Sequence, residues 1–436
     1  MDRIPVHVWL SGEATPILAG EFSHDGQVGR FAYDPAYLAA KHPALAPDLP
    51  LRAKPHAITG GHAIFPLFLD AGPDTWGRHV LERRLERSVT EIEALSLCPT
   101  DGVGNIALGA ITPERLRVLK LDEFLAILAE QEKGGQARNT AEEQVLDAHG
   151  DGTSLGGTKP KLTIERDGIQ YLAKFPAKGD SEWLPHVECA TLKLAHLCGV
   201  RAIPDPEVWR LPSGRCALLV RRFDRQALPG GQARQGYVSA HALLRLDTLS
   251  QSPQDALLFG TRGFTPYNLR RSYVALSEDM LRWCGSQAVH REERRELWRR
   301  IVFNALVRNL DDHAHNHGLL CDDMGRQHWR LSPAFDLVPA AKLPQAPALC
   351  LAYRFVPGGR RSGGAKPRLV WVTDAADLMA AAVEHYGYTQ AEAADYLKFA
   401  AATVATQWQA LFRQEGMPEA EIARFLVCFE WAGSLL

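Results

Sequence analysis

The most informative stretch of this chain reads Asn309-Leu310-Asp311-Asp312-His313-Ala314-His315-Asn316-His317-Gly318, and Leu331-Ser332-Pro333-Ala334-Phe335-Asp336 follows it closely. The two stretches contain an Asp, an Asn after four intervening residues, and a later Asp beside a Phe. Kinases use such side chains in this order, because the first Asp orients the attacking hydroxyl while the Asn and the second Asp are hard oxygen ligands for Mg²⁺. The pattern predicts phosphoryl transfer from ATP, with Asp311, Asn316 and Asp336 as candidate residues.

An apolar helix is predicted to support this polar loop. Residues 297–310 are rich in large apolar side chains, with Arg299, Arg300 and Arg308 interspersed. The loop alone is weak evidence, because Asp, Asn and His are also common in turns and helix caps. A buried support directly before it favours the catalytic interpretation, since a catalytic loop needs a rigid base.

A glycine-rich, basic segment upstream is a candidate phosphate-binding loop. It reads Asp151-Gly152-Thr153-Ser154-Leu155-Gly156-Gly157-Thr158-Lys159-Pro160-Lys161. Glycines allow backbone N–H groups to approach phosphate oxygens closely. The segment matches neither the Walker pattern nor G-x-G-x-x-G, and by composition alone a flexible linker is the alternative.

A β-hairpin is predicted directly after this segment. Residues 162–166 and 169–175 read as strands and flank Asp167-Gly168, a dipeptide typical of a tight hairpin turn. Lys174 lies on the second strand, where a kinase carries the lysine that binds the ATP phosphates. A solvated lysine at a sheet edge is the alternative.

A helix is predicted over residues 185–199, and a buried strand over residues 216–225. Glu188 lies beside the apolar stripe of that helix, where a carboxylate needs a partner because burying an unpaired charge is costly. Lys174 is the predicted partner. In a kinase, a strand in the position of residues 216–225 leads into the backbone that pairs with adenine.

These motifs, in this order, resemble the HipA-type serine/threonine kinases of bacterial toxin–antitoxin systems. The resemblance rests on the two stretches that contain Asp311 and Asp336, on the glycine-rich segment, on Leu172-Ala173-Lys174-Phe175-Pro176 and on Arg222-Phe223-Asp224-Arg225. It extends to Phe31-Ala32-Tyr33-Asp34-Pro35-Ala36-Tyr37-Leu38, Leu49-Pro50-Leu51 and Asp74-Thr75-Trp76-Gly77-Arg78, and so covers nearly the whole chain. The resemblance implies an α+β, protein-kinase-like fold with a β-rich lobe, a helical lobe and an added small N-terminal α+β domain.

The resemblance also implies a role for each matched residue. Asp311 would be the catalytic base, His313 would orient the catalytic loop, and Asn316 and Asp336 would bind Mg²⁺. The ATP contacts would come from Ser154, Gly156, Gly157, Thr158, Lys174 with its partner Glu188, the backbone of Arg221 and Phe223 at adenine, and Asp224. Ser154 would also be autophosphorylated, which expels the glycine-rich loop and stops the kinase.

Two departures from the family pattern affect these expectations. Gly156-Gly157-Thr158-Lys159-Pro160 differs from the more usual loop sequence, so the geometry of the loop is less well predicted. Arg221 stands where some members carry an acidic residue, which a backbone contact with adenine would tolerate.

The overall composition is consistent with this interpretation. The 436 residues suffice for two or three domains, and a net charge of −2 with a pI of about 6.8 gives no reason to expect strong nucleic-acid binding. The eight cysteines lack metal-site spacing, which favours thiols in a reducing cytosol. Neither a signal peptide nor a membrane-spanning run is predicted, so we expect a cytoplasmic protein.

The composition shifts along the chain predict four segments: an N-terminal domain over residues 1–130, a linker over 131–150, an ATP-binding β-rich lobe over 151–230 and a helical catalytic lobe over 231–436.

The alternating His313, His315 and His317 raise a weaker zinc hypothesis, which would need a further donor elsewhere. The basic segment of residues 358–368 is either a solvated loop or a grip on an anionic complex such as protein with tRNA.

Two other function classes remain open at this point. Small-molecule kinases can share the Asp-x4-Asn pattern and the later Asp, and a co-repressor docked on a DNA-binding antitoxin would need no turnover. The predicted partners are a protein substrate, which the resemblance suggests is an aminoacyl-tRNA synthetase with tRNA, and a helix-turn-helix antitoxin. DNA would be reached only through that antitoxin, and no membrane is expected.

Overall fold

The computed structural model describes residues 3–98, 100–133, 160–177, 179–211, 214–248, 270–341, 348–357 and 368–436. The chain forms two compact units, each built from segments that are distant in sequence. The first unit comprises Met1–Pro185, Pro204–Val238 and Leu319–Trp329. The second comprises His186–Ile203, Ser239–Gly318 and Arg330–Leu436.

An antiparallel five-stranded sheet begins the first unit, with strand order β4-β3-β2-β1-β5. Its strands are β1 (Arg3–Val8), β2 (Ile17–His24), β3 (Val28–Tyr33), β4 (His56–Thr59) and β5 (Ile106–Leu108). Alternate residues are buried, as expected for a sheet with one covered face. On that face Phe22 and Phe31 meet Phe65 and Phe68 edge-to-face.

A second five-stranded sheet has the order β6-β7-β8-β10-β9. Its strands are β6 (Leu119–Lys120), β7 (Lys161–Arg166), β8 (Ile169–Lys174), β9 (Glu207–Arg210) and β10 (Cys216–Arg221). The predicted hairpin is confirmed: Asp167 and Gly168 form its turn with φ angles of 53° and 75°. Positive φ at both positions suits the twist of the flanking strands, and Asp-Gly adopts it readily.

Six helices and a hairpin are also described in the first unit. They are α1 (Pro35–Ala39), α2 (Pro66–Leu69), α3 (Thr75–Leu85), α4 (Glu91–Leu97), α5 (Pro113–Leu116), α6 (Leu121–Lys133) and the strands β11 (Arg225–Leu228) and β12 (Gly231–Arg234). The second sheet buries Leu162, Ala173 and Leu219 against Val80 of α3 and Phe124 of α6. This core fixes the strand that carries Lys174.

A smaller three-stranded sheet has the order β13-β14-β15. Its strands are β13 (Gly236–Ser239), β14 (Gly318–Asp323) and β15 (His328–Leu331). Strand β14 starts directly after the Asp311–His317 stretch.

The second unit is mainly helical. Its helices are α7 (Leu184–Leu197), α8 (Ala240–Leu243), α9 (Tyr273–Trp283), α10 (Gln287–Leu306), α11 (Ala375–His385), α12 (Gln390–Gln414), α13 (Glu419–Ala423) and α14 (Leu426–Ser434), and β16 (Arg354–Val356) pairs with β17 (Arg368–Val370). The helix predicted over residues 297–310 is too long, because α10 ends at Leu306 and Arg308 adopts a φ of 55°. A left-handed residue stops a helix and redirects the chain.

The predicted α+β class is confirmed by this succession of sheets and helices. The predicted domain boundaries remain a prediction, because the two compact units group the chain more coarsely. Helix α6 extends to Lys133, so the first residues of the predicted linker are helical, and residues 134–150 lie outside the described residues. Among the helices that the structure describes, none is long and apolar enough to cross a membrane.

Candidate active site

Helix α10 delivers the candidate catalytic loop from a buried base. Its last turns are fully buried, including Ile301, Phe303 and Leu306. After Arg308 the loop folds onto itself: the His313 N–H donates to the Asp311 carbonyl at 2.8 Å, and the Asn316 N–H donates to the His313 carbonyl at 2.9 Å. The loop is therefore a rigid turn that carries Asp311 on its exposed side.

Asn316 presents a buried side-chain oxygen that accepts no hydrogen bond from the described residues. Its side chain is buried, and its amide nitrogen donates to the Asp311 carbonyl at 3.1 Å. That bond fixes the amide plane. Its Oδ1 is also buried and accepts no hydrogen bond from any residue that the structure describes. A buried carbonyl oxygen without a donor fits a hard cation such as Mg²⁺, and the residues present therefore suit the metal that the sequence predicts.

Asp312 fixes the loop in place through three hydrogen bonds. Its buried carboxylate accepts hydrogen bonds from the Tyr273 hydroxyl, from the Asn304 amide at 2.6 Å and from His317 Nε2 at 2.9 Å. Burial, together with the charge of Asp312, raises the pKa of Tyr273 well above its ordinary value, so the phenol remains a donor. The sequence interpretation missed this role, because nothing in the Asp311-Asp312 pair distinguishes an anchor from a catalytic group.

A second set of bonds ties Asp336 to the same base. Asn309 donates through its side-chain amide to Asn304 Oδ1 at 3.0 Å and to the Asp336 carbonyl at 3.4 Å. Asp336 itself adopts a φ of 58°, a conformation that costs a non-glycine residue about 1 kcal/mol or more. Such strain persists only where the surroundings impose it. The structure thus links the backbone of Asp336 to the carboxylate of Asp312 through two asparagines.

Buried ion pairs hold the segment that leads to Asp336. Glu293 accepts the Leu331 N–H at 2.9 Å, and Arg300 donates to the Ser332 carbonyl at 2.6 Å. Arg300 is itself paired with Glu296 at 3.1 Å. Burial would raise the pKa of Glu296, but the charges of neighbouring arginines outweigh it and lower the pKa, so the pair is ionised. Buried ion pairs add little net stability, and here they fix geometry.

The three alternating histidines do not converge on one point. His317 is bonded to Asp312, His315 stacks on His241 with ring centroids 3.9 Å apart, and the His313 ring stands perpendicular to His315. The parts of the chain that the structure describes contain no group of three or more His, Cys, Asp or Glu side chains that could hold a metal. The geometry therefore gives the zinc hypothesis no support.

The candidate ATP residues fall in both compact units. Lys174 is half-buried at the end of β8, opposite Leu218 of β10. Glu188 is buried on α7, as its place beside the apolar stripe predicted, but it belongs to the second unit. The pairing of Lys174 with Glu188 therefore stays a prediction. Ser154, Gly156, Gly157 and Thr158 lie outside the described residues, as does the basic segment up to residue 367.

The backbone of Arg221 lies in the part of β10 that extends beyond its pairing with β9. The Arg222 N–H donates to the Gln170 carbonyl of β8, so the backbone groups of Arg221 point to the opposite side of the strand. On that side the described pairing with β9 ends at Leu219 and Glu207. Unpaired strand N–H and C=O groups are what an adenine ring would need, and Phe223 follows close by. The predicted contact of Arg221 and Phe223 with adenine stays a prediction.

Asp224 is fully buried in a cluster of charges within the first unit. Its carboxylate accepts from Arg222, from Arg225 and from the Gly104 N–H at 2.8 Å. Arg222 also donates to the Asp101 carboxylate at 2.8 Å. The side chain of Asp224 thus joins the segment after β10 to residues 101–104, a structural role. Its predicted contact with ATP stays a prediction.

The end of the glycine-rich segment is anchored inside the first unit. The ammonium group of Lys161 pairs with Asp74, and both side chains are almost completely buried. Asp74 also caps helix α3 by accepting the Gly77 N–H at 2.8 Å. This contact joins two of the sequence segments on which the family resemblance rests, the glycine-rich segment and the Asp74-to-Arg78 motif.

Comparisons with known proteins agree with the sequence interpretation. The HipA-like C-terminal domain matches residues 153–408, which is more than half of the 436 residues, and the HipA N-terminal domain matches residues 6–109. HipA from Shewanella oneidensis MR-1, solved in a toxin–antitoxin complex with HipB and operator DNA, is similar with a TM-score of 0.66 at 19% identity. That match covers 99% of this chain and 96% of the other, so the two chains share a fold.

A proinflammatory kinase from Helicobacter pylori, CtkA, matches with a TM-score of 0.39 at 12% identity, over 64% of this chain and 89% of that chain. A comparison with curated proteins found no match. Because the two family domains together span most of the sequence, the predicted family resemblance is confirmed. This chain belongs to the HipA family.

Proposed function

We propose that this protein is a Mg-ATP-dependent serine/threonine protein kinase of the HipA toxin type. The observation that carries the proposal is the buried Oδ1 of Asn316, which accepts no hydrogen bond from any described residue while the amide nitrogen of the same side chain donates to the Asp311 carbonyl. The neighbouring Asp312 is connected through Asn304 and Asn309 to the backbone of Asp336. A metal ion bound beside Asp311 would supply the partner that this buried amide oxygen lacks among the described residues.

The chemistry follows from the placement of these groups. Asp311, exposed on the loop, accepts the proton of a serine or threonine hydroxyl as that oxygen attacks the γ-phosphorus. A new O–P bond forms while the bond from phosphorus to the β–γ bridging oxygen breaks, and ADP leaves. Bound Mg²⁺ would neutralise charge on the phosphates, with Asn316 and Asp336 as its protein ligands. Lys174 would hold the phosphates, and the backbone of Arg221 and Phe223 would hold adenine.

Autophosphorylation at Ser154 is the second element of the proposal. A phosphoserine in the glycine-rich segment adds nearly two negative charges and three acceptor oxygens. Beside bound ATP these charges repel the γ-phosphate, so the modified loop cannot occupy its nucleotide-binding position. The kinase would then be inactive.

The proposed partners follow from family membership. A helix-turn-helix antitoxin is proposed because the similar Shewanella oneidensis chain was solved with HipB and operator DNA. DNA would then be reached only through the antitoxin. The proposed protein substrate belongs to translation, and the family resemblance suggests an aminoacyl-tRNA synthetase.

Labelled ATP provides the test. The full-length protein, Mg²⁺ and labelled ATP are incubated with a cell lysate, and labelled proteins are identified by mass spectrometry. Phosphate on serine or threonine of specific proteins is expected. Label only in small hydroxyl compounds would indicate a small-molecule kinase. No transfer to any acceptor, with tight binding of an antitoxin, would indicate a non-catalytic co-repressor.

A further inference from the structure

A cavity of about 880 Å³ opens beside the candidate catalytic loop, entirely within the second unit. One wall is the loop itself, through Leu310, His313 and His315. The rest of the lining includes residues 348–351 together with Leu369, Trp371 and Val372. Asp311 directly follows Leu310 in the chain, so any group that fills this cavity lies next to the proposed site of phosphoryl transfer. The mechanism proposed above makes no use of the cavity.

The walls of the cavity are fixed by bonds within the unit. The Leu349 N–H donates to the Trp371 carbonyl at 3.0 Å, and Ala348 forms an antiparallel bridge with Val372. The Cys350 thiol donates to the Leu310 carbonyl at 3.3 Å, which connects this wall to the catalytic loop. The cavity is therefore a built feature of the second unit and is continuous with the loop.

The lining combines apolar surface with basic groups and donors. Leucines at 349, 351 and 369 and the exposed Val372 supply the apolar part. The charged and ionisable lining side chains, apart from the Cys350 thiol, are Arg271 and three histidines, and no Asp or Glu is among the lining residues that the structure describes. The indole N–H of Trp371 is buried and has no acceptor among the described residues. Such a surface complements an apolar side chain next to an acidic group.

We propose that this cavity binds the acceptor segment of the protein substrate and selects a large apolar side chain with an acidic residue beside it. The proposal rests on the proposed kinase function and names the class of its substrate. An extended chain advances about 3.3 Å per residue, so residues within about three positions of the acceptor serine or threonine reach the cavity while the hydroxyl is at Asp311. Burial of a leucine or phenylalanine side chain there should change the apparent affinity by roughly tenfold or more.

A positional peptide library tests the proposal with the full-length protein. Each nine-residue peptide has a central serine, and every other position is varied in turn; phosphorylation by labelled Mg-ATP is measured. Selection for Leu, Phe or Trp is expected at one position within three residues of the serine, with Asp or Glu favoured at a neighbouring position. The same selection should be weakened in V372E, which places a carboxylate in the apolar wall.

A matched control uses Val383, which is 46% exposed on α11, comparable to the 50% exposure of Val372, and is not part of the lining. For the selected peptide, V372E should raise KM about tenfold or more with kcat changed less than threefold, while V383E should leave KM unchanged. A merely destabilising effect would lower kcat and the melting temperature in both variants.

Three outcomes overturn the proposal: no apolar preference in the library, equal KM in V372E and the wild type, or labelling of small hydroxyl compounds but not of peptides. Binding of Mg-ATP is measured by the shift in melting temperature that it causes. This measurement distinguishes failure of the cavity proposal from failure of the proposed kinase function. If the protein binds Mg-ATP and phosphorylates proteins without a preference for an apolar residue near the serine, only the cavity proposal is refuted. A protein that transfers no phosphate at all refutes the kinase function.

Discussion

The side-chain amide of Asn304 donates a 2.6 Å hydrogen bond to the buried carboxylate of Asp312. The side-chain oxygen of Asn304 accepts a hydrogen bond from the side-chain amide of Asn309, which also donates to the carbonyl of Asp336. One asparagine at the end of helix α10 therefore connects the loop that carries Asp311 to the segment that carries a candidate Mg²⁺ ligand. Because all four groups are buried or half-buried, the relative position of the two segments is fixed before any substrate binds.

Replacement of Asn304 by leucine should uncouple these two segments. The change leaves Asp312 and Asn309 short of a partner in a buried site, which costs about 1–3 kcal/mol of unfolding free energy. If the Asn304 amide also positions the metal ligands, Asn304→Leu should raise the Mg²⁺ concentration for half-maximal phosphoryl transfer several-fold. Urea unfolding and a Mg²⁺ titration of activity measure the two effects. A loss of stability with an unchanged Mg²⁺ dependence would show a structural role only.

Phosphoryl transfer should depend on two carboxylates. Asp311→Asn removes the proposed base and Asp336→Asn weakens the proposed metal site, so each should lower the rate by about 10²-fold or more while the fold is kept. Transfer from labelled ATP and the circular dichroism spectrum are measured together. Asp395→Asn, at an exposed position of α12, is the matched control and should have no effect. A wild-type rate in Asp311→Asn would remove Asp311 from the mechanism.

Nucleotide binding should stabilise the protein through Lys174. A ligand present at a hundredfold excess over its Kd stabilises the folded state by about 2.7 kcal/mol, so Mg-ATP should raise the melting temperature. Lys174→Ala should reduce that shift, whereas Lys398→Ala, on an exposed face of α12, should not. The measurement is a melting curve with and without nucleotide. No shift at millimolar Mg-ATP in dephosphorylated protein would favour the non-catalytic alternative.

Ser154 should be the site of self-inactivation. After incubation with Mg-ATP, mass spectrometry should find phosphate on Ser154, and Ser154→Asp should bind ATP weakly because its carboxylate partly mimics the added charge. Ser154→Ala is the control, since it should bind ATP normally and remain active for longer. Unmodified Ser154 in an active preparation, or normal ATP binding by Ser154→Asp, would speak against this switch.

The buried charge cluster around Asp224 should make stability depend on pH. Burial alone would raise the pKa of the Asp224 carboxyl, but the charges of Arg222 and Arg225 outweigh it and hold the pKa well below its ordinary value. A lowered folded-state pKa gives stability that is complete above the unfolded pKa of about 4 and is lost as the pH falls through the folded pKa. Asp224→Asn should therefore cost about 3–5 kcal/mol at neutral pH and less at pH 3.

Urea unfolding at pH 7, 5 and 3 measures this difference. The exposed pair of Asp323 and Arg326, 3.3 Å apart in the same unit, provides the control. Asp323→Asn should cost less than about 1 kcal/mol at each pH, because solvent screens exposed charges. Equal costs for the two substitutions would contradict the inference that burial makes the Asp224 cluster important.

The sequence alone determined the family, the α+β class and the Asp-Gly hairpin, and it named the candidate site residues, whose roles stay predictions. These features depend on local order along the chain: turn residues have fixed backbone preferences, and a kinase needs its chemical groups in a fixed sequence. The end of helix α10 was predicted too late, because apolar periodicity continued past Leu306 while the left-handed Arg308 ended the helix. Periodicity reports burial and does not report where the backbone turns.

Only the tertiary structure decided which Asp of the adjacent pair is exposed and which is an anchor. Asp311 and Asp312 are identical in chemistry and neighbours in sequence, yet Asp311 is exposed and Asp312 is buried. The difference arises because Tyr273 of α9, Asn304 near the end of α10 and His317 of the same loop all donate to Asp312. A carboxylate becomes an anchor when enough donors surround it to replace water, and those donors are assembled only when the chain has folded.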